Sequence, residues 1–417
     1  MSRCDDPINE AFLADFTAVS AIGATESGGV HREAGDPSDA ATKRWLRNWL
    51  QEAGLEVRVD RVGNLFGLLT WTPGAPHVLL GSHLDSQPSG GRFDGAYGVL
   101  AAAHAAARLR DRVRDSGELP PCNIAVVNWF NEEGSRFQPS MMGSGVFTGK
   151  LDADVALDTR DRTGTSVREA LTDAGFAGRD ECPELAAYAE IHVEQGEVLE
   201  REGATIGLVE SNWAARKYQV TVRGEQSHTG STPMAQRRDA LYGAAKIVTA
   251  VRELADDFPD GVLHTSVGQL SVQPNSPVVV AREAQLHLDL RSADLQVLND
   301  ADTRLHEMFA QVRGQAGVEV SVGTAHAWDV EPYQPDGVRI AEEAADGLGL
   351  PYRRMLTLAG HDSTNMKDVV PTVMLFVPSA GGVAHNEFEH TEDVDMLAGV
   401  DVLAEVAEQL CHGGFQG

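Results

Sequence analysis

The spacing of apolar residues changes period along this chain, and the changes mark its elements. "SDAATKRWLRNWLQEAG" (38–54) repeats its apolar positions at helical spacing and stops at a glycine, which predicts a capped amphipathic helix. "LEVRVDRVGNLFGLL" alternates with period two on both sides of Gly63-Asn64, predicting paired strands. A solid apolar run at 77–82, a helix from about 95 to 112 and the apolar run "NIAVVNWF" at 123–130 follow. Two more buried runs, "AAYAEIHV" ending at 193 and "PTVMLFVPS" at 371–379, complete the set. Strand and helix signals that alternate in this way predict an α/β domain with a mostly parallel sheet.

Between about 212 and 327 the rhythm is different. "RKYQVTVRG" reads as a strand and "MAQRRDALYGAAKIVTAVRELADD" as a long helix. "HTSVGQLSVQP" and "PVVVAREAQLHLDLR" read as consecutive strands, followed by the helix "DLQVLNDADTRLHEMFAQVRGQ" and the strand "VEVSVGTAHA". The order β-α-β-β-α-β is a complete split unit of its own. It predicts a second domain, 212–327, inserted into a first made of 1–211 and 328–417. No internal repeat interrupts either.

Composition narrows the partners. A chain of 417 residues with 62 acidic against 34 basic side chains carries a net charge of −28, which would repel nucleic acid and anionic membrane alike. The uncharged stretch 369–386 holds Pro371, Pro378, a histidine and an asparagine, so it does not read as a membrane span. The acidic opening "MSRCDDPINEAFLADF" lacks the basic start and apolar core of a signal peptide. Cys4, Cys122, Cys182 and Cys411 show no CxxC spacing. The expectation is a cytoplasmic protein with reduced thiols.

Candidate chemistry gathers just past the predicted strand ends. "VLLGSH" delivers His83, "VVNWFNEEG" delivers Glu132 and Glu133, "AEIHVEQG" delivers His192 and Gln195, and "MLFVPSAGGVAH" leads to His385. The carboxyl ends of parallel strands are where ligands bind in such sheets. Imidazoles combined with carboxylates suit divalent transition metals, zinc most readily, with manganese, cobalt or nickel as alternatives. With Asp94, on a glycine-rich loop, as a shared carboxylate, the set is large enough for two ions, which would ionise a water near neutral pH. Of the adjacent Glu132 and Glu133, one can ligate while the other faces that water as general base. Asp85, two residues past His83, is expected to accept the ring N–H and fix its tautomer.

Together "GSHLDSQPSGGRFDGAYGVL", "NWFNEEGSRF", "EIHVEQG", "HTGSTPMAQRRDA" and "AGHDS…HNEFEH" resemble the dinuclear amidohydrolases of the M20 peptidase superfamily. The branch they resemble is the hydantoinase/carbamoylase group, which holds N-carbamoyl-L-amino acid hydrolases, β-ureidopropionases and allantoate amidohydrolases. The likeness runs from about 40 to 395. It implies a catalytic α/β domain interrupted by a lid that also forms a homodimer. It implies two metals held by His83, Asp94 (bridging), Glu133, His192 and His385, with Glu132 as general base. His192 stands where peptidase relatives often have an acidic ligand, which favours the ureido-acid branch.

The resemblance also implies substrate contacts. Gln195 would touch the substrate, Asn275 and Arg291 would hold its free carboxylate, and His228 would stabilise the tetrahedral oxyanion. His361 and Asp362 match a motif that supports the site or meets the substrate. Thr229 replaces a more usual alanine, and 211–220 lacks a glycine that relatives often show at the start of the lid. His31, His77, His104, His264, His287, His306, His326, His390 and His412 are read as structural or surface residues. The reaction so implied is hydrolysis of the carbamoyl C–N bond of an N-carbamoyl-L-amino acid or ureido acid such as 3-ureidopropionate, releasing ammonia, carbon dioxide and the amino acid. The rival readings are allantoate, an N-acyl amino acid or a small peptide as substrate, and a non-catalytic binding protein on the same fold.

Overall fold

The computed structural model describes residues 6–415. The backbone divides into two compact units, one built from the chain up to Glu210 and from Pro332 onward, the other from Ser211–Glu331.

The first unit is organised around an eight-stranded sheet. Its order is Glu56–Val59, Leu65–Leu69, Asn123–Trp129, His77–His83, Leu185–Val193, Thr372–Val377, Ile206–Asn212 and Tyr352–Thr357. The central strands, from Asn123–Trp129 across to Thr372–Val377, pair parallel, and antiparallel strands flank them. His77–His83 and Asn123–Trp129 are buried at every position, as parallel strands covered on both faces must be. Parallel pairing brings the carboxyl ends of distant segments to one edge, so residues just beyond them become neighbours.

Helices cover both faces. Ala96–Ser116 lies on the sheet through alanines 101, 102, 103, 105 and 106, all fully buried, whose small side chains let the helix approach closely. The C-terminal helix Asp393–Cys411 packs beside it. Leu80, Val126 and Leu375 of the sheet meet Leu100 and Leu403 of these helices in one core. Truncating any such leucine to alanine costs about 2–5 kcal/mol. The helix expected over 38–54 spans Pro37–Glu52, capped by the Asp36 carboxylate, which accepts from the Asp39 amide. Pro37 needs no amide partner in the first turn, so the start lies ahead of the serine.

The second unit has a four-stranded antiparallel sheet in the order Glu319–Trp328, Ala214–Arg223, Glu283–Ser292, His264–Gln273. Burial alternates residue by residue along Glu283–Ser292, the pattern of a sheet with one covered face. Leu286, Leu288 and Leu290 point into a core shared with the helices Ala240–Leu254 and Leu295–Ala316. One expectation is corrected. "PVVVAREAQLHLDLR" is not a single strand: Val279–Val280 leaves the sheet to pair with Ser227–His228, and the ladder resumes at Glu283. Pro274 and Pro277 have no N–H to contribute to a ladder. Asn275 sits in the loop before Val279–Val280, in left-handed backbone at φ 54°.

Among the described residues no helix is long and apolar enough to cross a membrane. Cys122, Cys182 and Cys411 are free thiols. Cys4 lies outside the described residues.

Candidate metal centre

His83 is the last residue of its strand and His192 the last but one of the neighbouring strand. Both rings are about 1% exposed and stack at 5.7 Å. The His83 Nδ1 lies 2.9 Å from the Asp85 carbonyl and the His192 Nδ1 2.9 Å from the Val193 carbonyl. A carbonyl can only accept, so each Nδ1 carries the proton and each Nε2 presents a lone pair. The Gly95 amide donates to the His192 Nε2 at 3.0 Å, in keeping with that tautomer. Gly95 itself is required: at φ +62° it lies against the His83 ring, where a Cβ would come within 2.3 Å of Cε1.

These lone pairs converge on one carboxylate. The Asp94 Oδ1 lies 3.4 Å from the His83 Nε2 and 3.1 Å from the His192 Nε2. The other oxygen, Oδ2, lies 3.3 Å from the His385 Nε2, which is 3.5 Å from a Glu133 oxygen. Ligand atoms of His83, Asp94 and His192 fall within 4.8 Å of one another, and so do those of Asp94, Glu133 and His385. Asp94 belongs to both sets, one oxygen to each. Unprotonated imidazole nitrogens and carboxylate oxygens facing each other at these distances fit a divalent cation in each set.

The two adjacent glutamates make different contacts. Glu133 accepts the Gln87 amide at 3.1 Å on one oxygen and the Gln87 side chain at 2.8 Å on the other. Glu132 belongs to neither ligand set; its carboxylate is buried and reaches to 3.6 Å from the His83 Nε2. Burial pushes Glu132 well above the usual carboxylate range; His83 opposes this, and Asp362, Glu133 and Asp85 add to it. The cluster's negative potential also shows in His83. Burial disfavours its charge, yet Glu132, Asp94 and Asp85 outweigh that and hold it well above the ordinary histidine value; the second proton they draw to Nε2 is the one a bound cation would displace, leaving the neutral tautomer with its proton on Nδ1.

Asp85 is placed differently from the expectation. Its carboxylate does not take the His83 ring proton, its nearer oxygen lying 3.8 Å from Nδ1; the main-chain carbonyl does so instead. The carboxylate turns away and accepts the amides of Glu132 and Glu133, 3.2 Å each, one on either oxygen. Asp85 thus orients the turn that carries both glutamates. Asn131, immediately before that turn, Ser89, Gln195 and His385 all hold left-handed backbone, at φ 52°, 52°, 60° and 51°. Non-glycine residues persist in that region only where surrounding contacts impose it.

Other expected residues fall as follows. Gln195 donates from Nε2 to the Asp94 Oδ2 at 2.8 Å. His361 is buried, its ring 4.6 Å from that of His192 and 5.4 Å from Phe376. Asp362 is fully buried and bonded to the Ser144 hydroxyl. His228, Asn275 and Arg291 belong to the second unit. His228 is exposed, and its Nδ1 accepts from the amides of Gly230 and Ser231 at 2.9 and 3.2 Å, which leaves Nε2 as the donor. The Arg291 guanidinium engages Asp289 through Nε and Nη2 at 2.9 and 2.6 Å.

Residues that went unread include Gln87, Glu190 and Glu389. Glu190 lies fully buried, accepting from Ser82, Tyr188 and the Ser363 amide. A carboxylate in the middle of the apolar run "AAYAEIHV" was the available signal, since such a group needs several donors to be buried. Glu389 accepts the amides of Phe93 and Asp94.

Residues 79–409 match the family model for peptidase family M20/M25/M40. A Mycolicibacterium smegmatis protein bearing only a general hydrolase name is 55% identical over 97% of this chain and 93% of its own. An N-carbamoyl-L-amino-acid amidohydrolase of Rhizobium meliloti is 35% identical over 92% of both chains. An allantoate amidohydrolase of Bacillus subtilis is 33% identical over 94% of this chain and 96% of its own. A crystal structure of a hydantoinase/carbamoylase family amidase from Burkholderia vietnamiensis superposes with a TM-score of 0.92 at 36% identity, covering 98% of this chain and 99% of that one. With two ligand sets at the strand ends of an M20 fold and relatives matched over nearly their whole length, the chain belongs to peptidase family M20, as an amidohydrolase of its carbamoylase/allantoate amidohydrolase branch.

Proposed function

We propose that this protein hydrolyses the carbamoyl C–N bond of an N-carbamoyl-L-amino acid or related ureido acid, releasing ammonia, carbon dioxide and the amino acid. The observation that carries the reading is Asp94, whose two oxygens serve two separate donor sets while the buried Glu132 stands beside them and ligates in neither. His83, Asp94, Glu133, His192 and His385 would hold two divalent cations, which when bound would supply Lewis acidity and lower the pKa of water towards neutral. Glu132, whose carboxyl burial pushes above the usual carboxylate range, takes a proton from the attacking water and returns it to the leaving nitrogen. Asp85 keeps that carboxylate on station through the Glu132 amide.

In this reading the second unit serves as lid and dimerisation element. Its His228, with Nε2 as donor, takes up the oxyanion; Arg291 and Asn275 bind the substrate carboxylate, the planar guanidinium suiting that bidentate task. Gln195 leaves Asp94 to meet the substrate. A substrate with a free carboxylate accords with the names of the relatives, and allantoate, also named among them, is the second reading. The test is ammonia release from N-carbamoyl-L-amino acids, 3-ureidopropionate, allantoate and acylated amino acids, with zinc, manganese or cobalt supplied. Turnover of carbamoyl amino acids above the rest is the expected result. Preference for allantoate would replace the substrate, and silence across the panel would overturn the reading.

A further inference from the structure

Glu389 is a carboxylate with no ligand role that nonetheless lies at the heart of the site. It follows His385 by four residues and is 4% exposed. Its Oε1 accepts the main-chain amides of Phe93 at 3.2 Å and Asp94 at 2.8 Å. Its other oxygen has no hydrogen-bond partner among the described residues. The glycine-rich loop is shaped around it: a Cβ on Gly91 would come within 2.4 Å of both Cδ and Oε1 of Glu389. No such need is imposed by the turn itself, since Gly91 is not in left-handed backbone.

Placing a third buried carboxylate beside Asp94 and Glu133 is electrostatically costly, and the fold bears that cost in return for two main-chain hydrogen bonds. Those bonds have a specific consequence. Asp94 comes from the loop after His77–His83, and His385 from the segment after Thr372–Val377. These strands are separated in the sheet by Leu185–Val193, so the sheet does not hold the two loops directly against each other. Glu389 joins them by hydrogen bonds to the main chain, beside an edge-on contact of the Phe93 and His390 rings at 5.7 Å.

We propose that Glu389 is a positioning residue for metal binding: it clamps the Asp94 main chain to the His385 segment and so sets the spacing between the shared carboxylate and its outer imidazole. The proposal rests on the reading of Asp94 and His385 as ligands given above. Its geometry calls for an acceptor at Oε1, not for a particular substrate. Glutamine keeps that acceptor, alanine removes it, and aspartate withdraws it by one methylene. Gly91→Ala attacks the same contact from the other side.

The test is binding of Mn2+ to chelator-stripped full-length protein by calorimetry, with the melting temperature of each metal-free variant measured alongside. Glu389→Gln should bind within about threefold of wild type, whereas Glu389→Ala, Glu389→Asp and Gly91→Ala should each lose about 10- to 100-fold in affinity, the range for residues that orient ligands. Metal-free melting temperatures of the aspartate and Gly91 variants should stay near wild type, which separates a positioning role from general loss of fold. Wild-type affinity in Glu389→Asp and Gly91→Ala would overturn the proposal, even if Glu389→Ala fails to fold. An equal loss in Glu389→Gln would also overturn it, because charge and not the acceptor would then be responsible. Metal binding is read without substrate, so a wild type that binds two ions but hydrolyses no ureido acid would refute the function and leave this inference standing.

Discussion

His83 and His192 sit at the ends of strands buried on both faces, each about 1% exposed, with Nδ1 tied to a main-chain carbonyl. His228 is exposed on a two-residue strand of the second unit, its Nδ1 held by amides of its own turn. The contrast extends to the sheets. The first unit's central strands are closed on both sides, whereas the edge strand His264–Gln273 of the second has no fully buried residue. Holding cations takes unprotonated donors fixed to within fractions of an ångström, and a fully packed parallel sheet supplies that rigidity. Meeting a substrate that must enter and leave takes donors that remain accessible, and a one-faced antiparallel unit leaves them so. Each unit's architecture matches the task proposed for its residues.

Substitutions sharpen that contrast. The largest effect is expected from Asp94→Ala: with an oxygen removed from each ligand set, turnover should fall to background and both metal equivalents should be lost, as read by elemental analysis. His385→Ala should release one. If Asp94→Ala keeps two tightly bound ions, the shared-carboxylate geometry is wrong.

Next comes Glu132→Gln, which should lower kcat by about 10²- to 10⁴-fold with metal content intact. His228→Ala should lower kcat by about 10²- to 10³-fold, again with both ions retained. Together they test whether the two units divide the work. Loss of metal in the His228 variant would put it in the wrong group.

Packing gives a smaller and separable signal. The cores of the units are distinct clusters, so Leu305→Ala should destabilise the second by about 2–5 kcal/mol while leaving Mn2+ affinity unchanged. Calorimetry that showed a parallel loss of metal affinity would contradict independent cores.

The smallest effect concerns Asp60, at the turn between Glu56–Val59 and Leu65–Leu69. Burial pushes its carboxyl up to about 6, against hydrogen bonds from Asn64, Val62 and Gly63 that favour the charged form. Because the folded state binds this proton more tightly than the unfolded chain, its contribution to stability is complete at low pH. It is lost as pH rises from the ordinary value of 3.8 through about 6. Asp60→Asn should therefore flatten the melting temperature of the first unit across that window and leave the second unit's unchanged. An equally steep decline in the variant would exclude Asp60 as its source.

Much of this was legible along the chain because buried parallel strands read as unbroken apolar runs and the second unit's strands and helices keep their own periods. What escaped had no such pattern. The C-terminal helix Asp393–Cys411 is buried over most of its surface and so lacks a single apolar stripe. The strand Tyr352–Thr357 is a half-exposed edge strand carrying arginines. Val279–Val280 was misjoined because an apolar run does not say which partner it will pair with.

The candidate ligands were nameable from composition and position, since a histidine or acid placed just past a buried strand is uncommon and chemically suggestive. Their arrangement was not. Which Asp94 oxygen faces which imidazole, that Asp85 offers its carbonyl to His83 and its carboxylate to the glutamate turn, and that Glu389 grips the Asp94 amide are outcomes of packing. Residue type specifies which donors and acceptors exist; the distances between them arise only when segments far apart in the chain are brought to one sheet edge, where a shift of an ångström changes which partner a polar atom finds.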